Sequence, residues 1–416
     1  MRIAIVKPDL HVTGGFEVVL DRLAAGLRER GHIVELARID ATFSPLSNIS
    51  TPIDDDYLIR FRDFFFHLDM VARFEELDLS GFDVALCTQP GSYAVQHPRK
   101  VILFYHHTRS FYDLQEVIET VRGHDIELHQ IAAHIVRDVD AQFLTPDVPI
   151  LAGSHRVKER LAQHNGLIDN VEVLSAGIDE AFWDDAAPCA FESALCIGRH
   201  EFPKRTELFL HAMHHVNGIE GRIVGAGSFT DRLQGIDAWL QLRHRDEPVV
   251  PSWDPAGCLI DDHTLWLKQT IHKPMDELQQ ALELHRSRGL KSPVTFLGRL
   301  SQDELLREYR SALCVVCPAF DEDYGLTCLE AMACGKPVVA CHDGGGYVEL
   351  IEDGVDGLLV EPNGPAIAAA ITRLEDLDLA RTMGERGREK ARAYTWSRAI
   401  DHLERTLARA TSSASP

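Results

Sequence analysis

A chain of 416 residues and 46.5 kDa is about two to three times an ordinary domain, which predicts two domains. Hydrophobic residues make up 45% and charged residues 25%, a balance that excludes a disordered or fibrous chain. Lys and Arg number 42 against 64 Asp and Glu, a formal net charge of −22. So acidic a chain is a poor non-specific ligand for nucleic acid or anionic lipid, and any phosphate site must be local, built from a few cations and backbone N–H groups.

No window reaches the roughly 18 consecutive apolar residues of a membrane span. The first residues, Met1-Arg2-Ile3-Ala4-Ile5-Val6, read directly as a strand without a signal-peptide pattern. Nine cysteines without small-scaffold spacing suggest reduced thiols, and the expected compartment is cytoplasmic.

Ile3–Val6 is a β-branched run followed by the turn Gly14-Gly15. Phe16–Arg30 carries Val19, Leu20, Leu23, Ala24 and Leu27 at helical spacing, and Gly31 stops it before a strand from Ile33. Further strands read at Val84–Cys87, Val101–Tyr105, Ile150–Ala152 and Val171–Leu174. The turn-prone Asp184–Pro188 reads as a hinge, after which the pattern restarts. Strands are expected at Ala194–Ile197, Arg222–Val224, Val294–Leu297, Leu313–Cys317, Val338–Ala340 and Leu358–Val360, with a helix at Thr206–His215. Alternating strands and helices imply two parallel, doubly wound α/β domains, spanning 1–185 and 186–396. Residues 228–292 read as an insertion with some helix between Trp266 and Leu284. The segment 397–416 is expected to pack back on the first domain as a helix and end in a disordered tail. Open α/β sheets bind ligands beyond the carboxyl ends of their strands, so a reaction would fall between two such domains facing each other.

Four strand-to-helix turns carry chemistry. In Gly198-Arg199-His200-Glu201-Phe202-Pro203-Lys204-Arg205, two cations five residues apart suit a diphosphate; the competing reading is an ordinary solvated loop. In Phe320–Pro337, Glu322 and Glu330 stand eight positions apart, at most about 12 Å along a helix axis, comparable to the separation of sugar and ribose in a sugar nucleotide. Carboxylates accept paired hydroxyls; alternatively, Glu322 favours a helix N-terminus and Glu330 is merely exposed. His342-Asp343-Gly344-Gly345-Gly346-Tyr347-Val348-Glu349 puts glycines ahead of a helix, where backbone N–H groups can meet a phosphate, although a glycine run is often only a loop. Gly14-Gly15 is the fourth.

Together these residues resemble the retaining glycosyltransferases of family 4, which have the GT-B fold. The resemblance rests on the E-x7-E pattern of Glu322 and Glu330, the upstream G-R…K loop, the downstream G-G-G-Y-V-E turn and the N-terminal G-G, and is strong over roughly 190–400. It implies transfer of a sugar from a nucleotide-sugar donor to an acceptor hydroxyl on a saccharide, small molecule or lipid-linked saccharide. Arg199 and Lys204 would neutralise the leaving diphosphate, Glu322 would contact donor-sugar hydroxyls, and Glu330 the ribose. Gly198, Gly325, Leu326, backbone near Gly345 and Gly346, and Gly15 would line the donor, with the base near Arg299. Of the pair in Tyr105-His106-His107-Thr108, His106 is preferred as the histidine near the transferred sugar. Arg205 departs from the pattern, since Lys-Gly is common at Lys204-Arg205. No carboxylate nucleophile is evident, so the implied route is front-side displacement with the leaving phosphate taking the acceptor proton, and neither a cofactor nor a divalent metal is expected. The alternative within this fold is a nucleotide-sugar 2-epimerase; a silent nucleotide-binding subunit and a phosphorylase rank lower.

Other signals are set aside. Gly225–Thr230 brushes a dinucleotide fingerprint, but no helix clearly opens after it. Cys314 and Cys317 read as buried thiols in a strand, and His211, His214 and His215 as surface histidines of an amphipathic helix. Phe64–Phe66, with Tyr57, Phe61 and Phe74, reads as core packing, and Arg386, Arg388, Lys390 and Arg392 as a solvated helix face. The acidic first domain favours a soluble acceptor, and a cationic small molecule such as an aminosugar would suit it.

Overall fold

The structure is a computed structural model, described here for residues 1–11, 14–41, 60–122, 125–183, 190–245, 254–256 and 275–412, the side chains of 120–122 excepted. The chain forms two compact units, Met1–Gly177 with Tyr394–Pro416, and Ile178–Ala393. The break therefore precedes the expected boundary at 185, because Ala181, Phe182 and Trp183 already belong to the second unit. Their carbonyls accept from Arg310 (2.9 Å), Cys334 (3.7 Å) and Arg388 (2.9 Å). The expected hinge Asp184–Pro188, Tyr57, the first part of the expected helix from Trp266 and the final tail lie outside the described residues.

In the first unit, β1 (Arg2–Asp9), β2 (Ile33–Asp40), β3 (Val84–Cys87), β4 (Lys100–Phe104), β5 (Ile150–Ala152) and β6 (Val171–Val173) form one sheet. Its order is β2-β1-β3-β4-β5-β6, and every pairing is parallel. Six consecutive residues of β1 are buried, as a central parallel strand covered on both faces requires. The helix Gly15–Glu29 buries Val19, Leu20, Leu23, Ala24 and Leu27, and the Glu17 carboxylate accepts from the Gly14 N–H at 3.0 Å. The helix Trp396–Ser412 belongs to this unit; it packs on Gly15–Glu29 at Gly26, where a Cβ would lie 2.0 Å from Ile400 Cδ1. Phe64 meets Phe111 edge-on and Phe66 packs on the main core, which is what aromatic packing demands of that run.

The second unit pairs β7 (Ser193–Ile197), β8 (Glu220–Val224), β9 (Val294–Gly298), β10 (Ala312–Cys317), β11 (Val338–Cys341) and β12 (Gly357–Val360) in the order β12-β11-β10-β7-β8-β9, again all parallel. The winding direction reverses between β7 and β10, the switch point at which open α/β sheets gather their ligands.

Two expectations about helices fail here, and a third is tested only in part. A helix does open after Gly225–Phe229, spanning Thr230–Arg243. It buries Leu233, Gly235, Ile236, Asp237, Ala238, Trp239, Leu240 and Leu242, so it lacks the one-sided apolar period that would have revealed it. Of the helix expected between Trp266 and Leu284, the described part is helical, over Met275–Ser287, and residues 266–274 lie outside the described residues. Finally, Thr206–Met213 is buried throughout rather than amphipathic. Its His211 is buried with Nε2 3.1 Å from His215 Nε2, and the nearly inaccessible His214 side chain meets Asp237 at 3.0 Å. Only His215 of the three is exposed, and no group of three or more His, Cys, Asp or Glu poised for a metal occurs among the described residues. Arg386 and Arg392 are exposed as expected, whereas Arg388 and Lys390 are tied inward to Trp183 and Asp356. Seven described cysteines, Cys314 and Cys317 among them, are buried thiols outside any disulfide. No described helix is long and apolar enough to cross a membrane.

Candidate functional site

The loops leaving β7, β10 and β11 converge in the second unit. Gly198 ends β7, its N–H donating to Val224 O at 3.0 Å. Arg199 follows with a side chain 59% exposed, paired to Glu201 at 3.0 Å. The other cation of that loop is held differently. Lys204 Nζ lies 2.5 Å from Glu322 Oε2, with the two side chains only 23% and 17% exposed. A strand-end cation and a strand-end carboxylate 118 residues apart in sequence thus meet at the switch point. One of the three ammonium N–H donors is engaged by Glu322, and an ammonium has two more to give. Arg199 is not brought into that pair.

The glycine turn after β11 works otherwise than expected. Gly346 N–H does not stand free for a phosphate: it donates to Glu322 O at 2.7 Å, while Glu322 N–H donates to Gly344 O at 3.2 Å. The two loops are stitched as a short parallel bridge between Glu322 and Gly345. Gly345 has φ +60, and a Cβ there would lie 2.6 Å from Glu322 O; at Gly346 it would lie 2.6 Å from Tyr324 O. The glycines are therefore needed for close approach of two backbones, which sets where Glu322 stands.

Gly325 caps the helix Leu326–Ala333 with φ +112, and a Cβ would collide with Tyr347 at 2.8 Å. Leu326 is half-buried at the first position of that helix. Further along it, the half-buried Glu330 accepts the Tyr309 hydroxyl at 2.6 Å. Burial raises the Glu330 carboxyl to about 7; the Tyr309 hydrogen bond opposes the rise, and the charge of Asp179 adds to it. Tyr309, fully buried, is itself pushed well above the usual phenol range by burial and by Glu330. Arg299 is exposed just beyond Gly298, itself at φ +68. Gly225 and Gly227 leave no space beside them: a Cβ would lie 1.9 Å from Gly198 O and 2.5 Å from His200 O, respectively. They serve packing of the β7 loop, not a dinucleotide.

In the first unit, Gly15 opens its helix, and His106 follows β4 half-exposed with Nδ1 2.7 Å from His107 O. His107 is buried, stacked on Tyr112 at 4.0 Å, with Nε2 2.7 Å from Asn165 Oδ1. Burial lowers its pKa to about 4, against the opposing Asn165 hydrogen bond. Tyr112 in turn donates to the buried Asp140, which also accepts from Tyr93 and His67. His107 is thus part of a packed network, and His106 is the accessible member of the pair.

Sequence reasoning missed Tyr309, which sits in an ordinary amphipathic helix and gives no signal. It also missed Asp343, whose carboxylate clamps the Arg205 guanidinium at 2.5 and 2.8 Å. Arg205 and Asp343 each stand in one of the motifs, but nothing in sequence links positions so far apart.

The likeness to solved structures defines the fold class. The chain superposes along its whole length on sucrose-phosphate synthase from Thermosynechococcus elongatus, with a TM-score of 0.66, 19% identity and 100% of both chains covered. It superposes similarly on Anabaena HepE in complex with UDP, with a TM-score of 0.61, 17% identity and coverage of 98% and 100%. The fold is two Rossmann-like doubly wound units of the GT-B class. Residues 275–390 match the family model described as "Glycosyl transferases group 1". That stretch holds Glu322, Gly325, Leu326, Glu330, Gly345, Gly346 and Arg299. Among curated relatives, the D-inositol 3-phosphate glycosyltransferase of Salinispora arenicola is 35% identical over 241 residues, 56% of this chain. The match spans about half of that relative's length, 48%.

Proposed function

We propose that the chain is a glycosyltransferase that takes its sugar from a nucleotide-sugar donor held by the second unit. The carrying observation is the Lys204–Glu322 pair at the sheet's switch point; the group 1 model covers the loop that bears Glu322. An ammonium beside a carboxylate at strand ends offers both partners that a sugar diphosphate needs: a cation for the bridging phosphate and an acceptor for sugar hydroxyls.

In this proposal Lys204 stabilises the charge that develops on the diphosphate as the glycosidic bond breaks, with Arg199 moving from Glu201 to the outer phosphate. Glu322 orients the donor sugar, and Glu330, once ionised, accepts the ribose hydroxyls. Gly198, Gly325 and Leu326 let backbone approach the donor, Arg299 stands toward the base, and Gly15 and His106 act from the first unit. Transfer with retention, as in family 4, fits the lack of an evident nucleophile among the residues named. Protein cations neutralise the leaving group, so no divalent metal is assigned a step. The acceptor is a hydroxyl compound; the name of the Salinispora relative makes D-inositol 3-phosphate the first to assay, with an aminosugar as the contrasting choice. A cytoplasmic setting belongs to the proposal, supported by seven buried thiols. The epimerase alternative gains nothing, since none of the relatives named above is an isomerase.

The test is a thermal-shift screen with UDP-, GDP-, ADP- and dTDP-sugars, followed by product analysis with and without acceptor. A true donor raises the melting temperature by mass action, and a glycoside forms only with acceptor present. A flat melt with every donor, or an epimer formed without acceptor, would refute it.

A further inference from the structure

We infer that Arg205 and Asp343 form a positioning clamp that aligns the three loops of the donor site, an inference that rests on the proposed function above. Arg205 directly follows Lys204, and its φ of +50 lies in the left-handed region where glycine is the ordinary choice. Its side chain is wholly inaccessible. Nε donates to Pro318 O at 2.7 Å and Nη2 to Ala319 O at 3.3 Å, the first carbonyls beyond β10. Nη1 and Nη2 donate to the two Asp343 oxygens at 2.8 and 2.5 Å, beyond β11. A planar fork is the one side chain that can satisfy acceptors on two loops at fixed angles while carrying its own charge.

Each loop so joined bears a residue of the site or one that places it. The β7 loop bears Lys204, the β10 loop bears Glu322, and the β11 loop bears Gly345 and Gly346, which set where Glu322 stands. Backbone bonds run parallel to the clamp: Phe320 N–H to Pro203 O at 2.8 Å and Asp321 N–H to Asp343 O at 2.8 Å. Because Asp343 neutralises Arg205, the guanidinium acts on the diphosphate through the placement of Lys204 and Glu322 rather than through its own field. Glu330 is held from another side, by Tyr309, so the nucleoside end of the site does not depend on the clamp.

The experiment measures calorimetric affinities for a nucleoside diphosphate and the matching monophosphate, using whichever of UDP, GDP, ADP or dTDP the wild-type protein binds. The variants are Arg205→Lys, Asp343→Asn and the double variant Arg205→Met with Asp343→Leu, each with its melting temperature. Arg205→Lys keeps the charge but cannot span both loops. We expect diphosphate affinity to fall at least tenfold while monophosphate affinity changes less than threefold, with a cooperative melt retained in Arg205→Lys. A purely structural role would lower both affinities together and be rescued by lysine. Wild-type diphosphate affinity in Arg205→Lys and Asp343→Asn, or equal loss of both ligands, overturns the clamp. If single variants fail to fold, the double variant, which removes the buried guanidinium and its carboxylate partner at once, must show the same split or the inference falls. A wild-type protein that binds no nucleotide defeats the proposed function first.

Discussion

Replacing Glu330 by glutamine should stabilise the protein and weaken its hold on nucleotide at the same time. The carboxyl titrates near 7 in the folded chain, against 4.5 for a free glutamate. Below pH 4.5 both folded and unfolded forms are protonated, and the residue contributes nothing. Between these values the unfolded chain releases its proton first, so wild-type stability falls as pH rises, and the loss is complete above about 7. At about 1.4 kcal/mol per tenfold change in proton affinity, the ceiling is about 3 kcal/mol, and partial solvent access reduces it to about 1–2 kcal/mol. Glutamine carries no such cost and still accepts the Tyr309 hydroxyl. Urea denaturation of both proteins at pH 4 and pH 8 checks this: the variant's advantage should be near zero at the lower pH and about 1–2 kcal/mol at the higher. Its nucleotide affinity at pH 8 should drop by about tenfold to a hundredfold, the value of charged hydrogen bonds to ribose hydroxyls. An identical advantage at both pH values, or a variant less stable at pH 8, would refute the buried-carboxylate account.

Lys204→Ala should reduce kcat by about a hundredfold to a thousandfold, the usual loss for one electrostatic contact to a leaving group, while circular dichroism stays native; turnover within threefold of wild type would remove lysine from the reaction. His106→Ala should lower turnover without shifting the melt, whereas His107→Ala, which empties a buried stacked site, should cost about 2–4 kcal/mol in urea denaturation. Because the folded His107 titrates near 4 against a free value of 6.5, its contribution is present above pH 6.5 and is lost as pH falls toward 4. A His107→Gln variant should show a shallower acid limb across that window, followed by urea midpoints. Gly346→Ala forces a Cβ to within 2.6 Å of Tyr324 O and should destabilise by about 1–3 kcal/mol; an unchanged midpoint would mean the two loops can part freely.

Most strands were legible because a buried parallel strand is a short apolar run bounded by turn residues, as at Ile3–Val6 and Leu313–Cys317. The helix Thr230–Arg243 was not, since a helix buried on nearly every side carries no period. The site was legible only as residue types. Lys204, Glu322 and Glu330 stand in motifs, but the Lys204–Glu322 contact spans 118 positions and the Arg205–Asp343 clamp 138. Gly345 and Gly346 were read as phosphate ligands from their place before a helix, yet the N–H of Gly346 is committed to Glu322 O. Glycine composition shows that backbone comes close to something; only the fold shows that the something is another loop.

The first unit is assembled from both ends of the described chain, whereas the second is one unbroken run from Ile178 to Ala393. During translation the inserted run is therefore fully out before its host has all its parts. Until Trp396–Ser412 emerges, Gly26 has no Ile400 to meet, and the face of Gly15–Glu29 on which that helix packs stays uncovered. The lobe begun first on the ribosome is finished last, and a nascent chain holds that greasy seam open for the whole time the inserted run is being made.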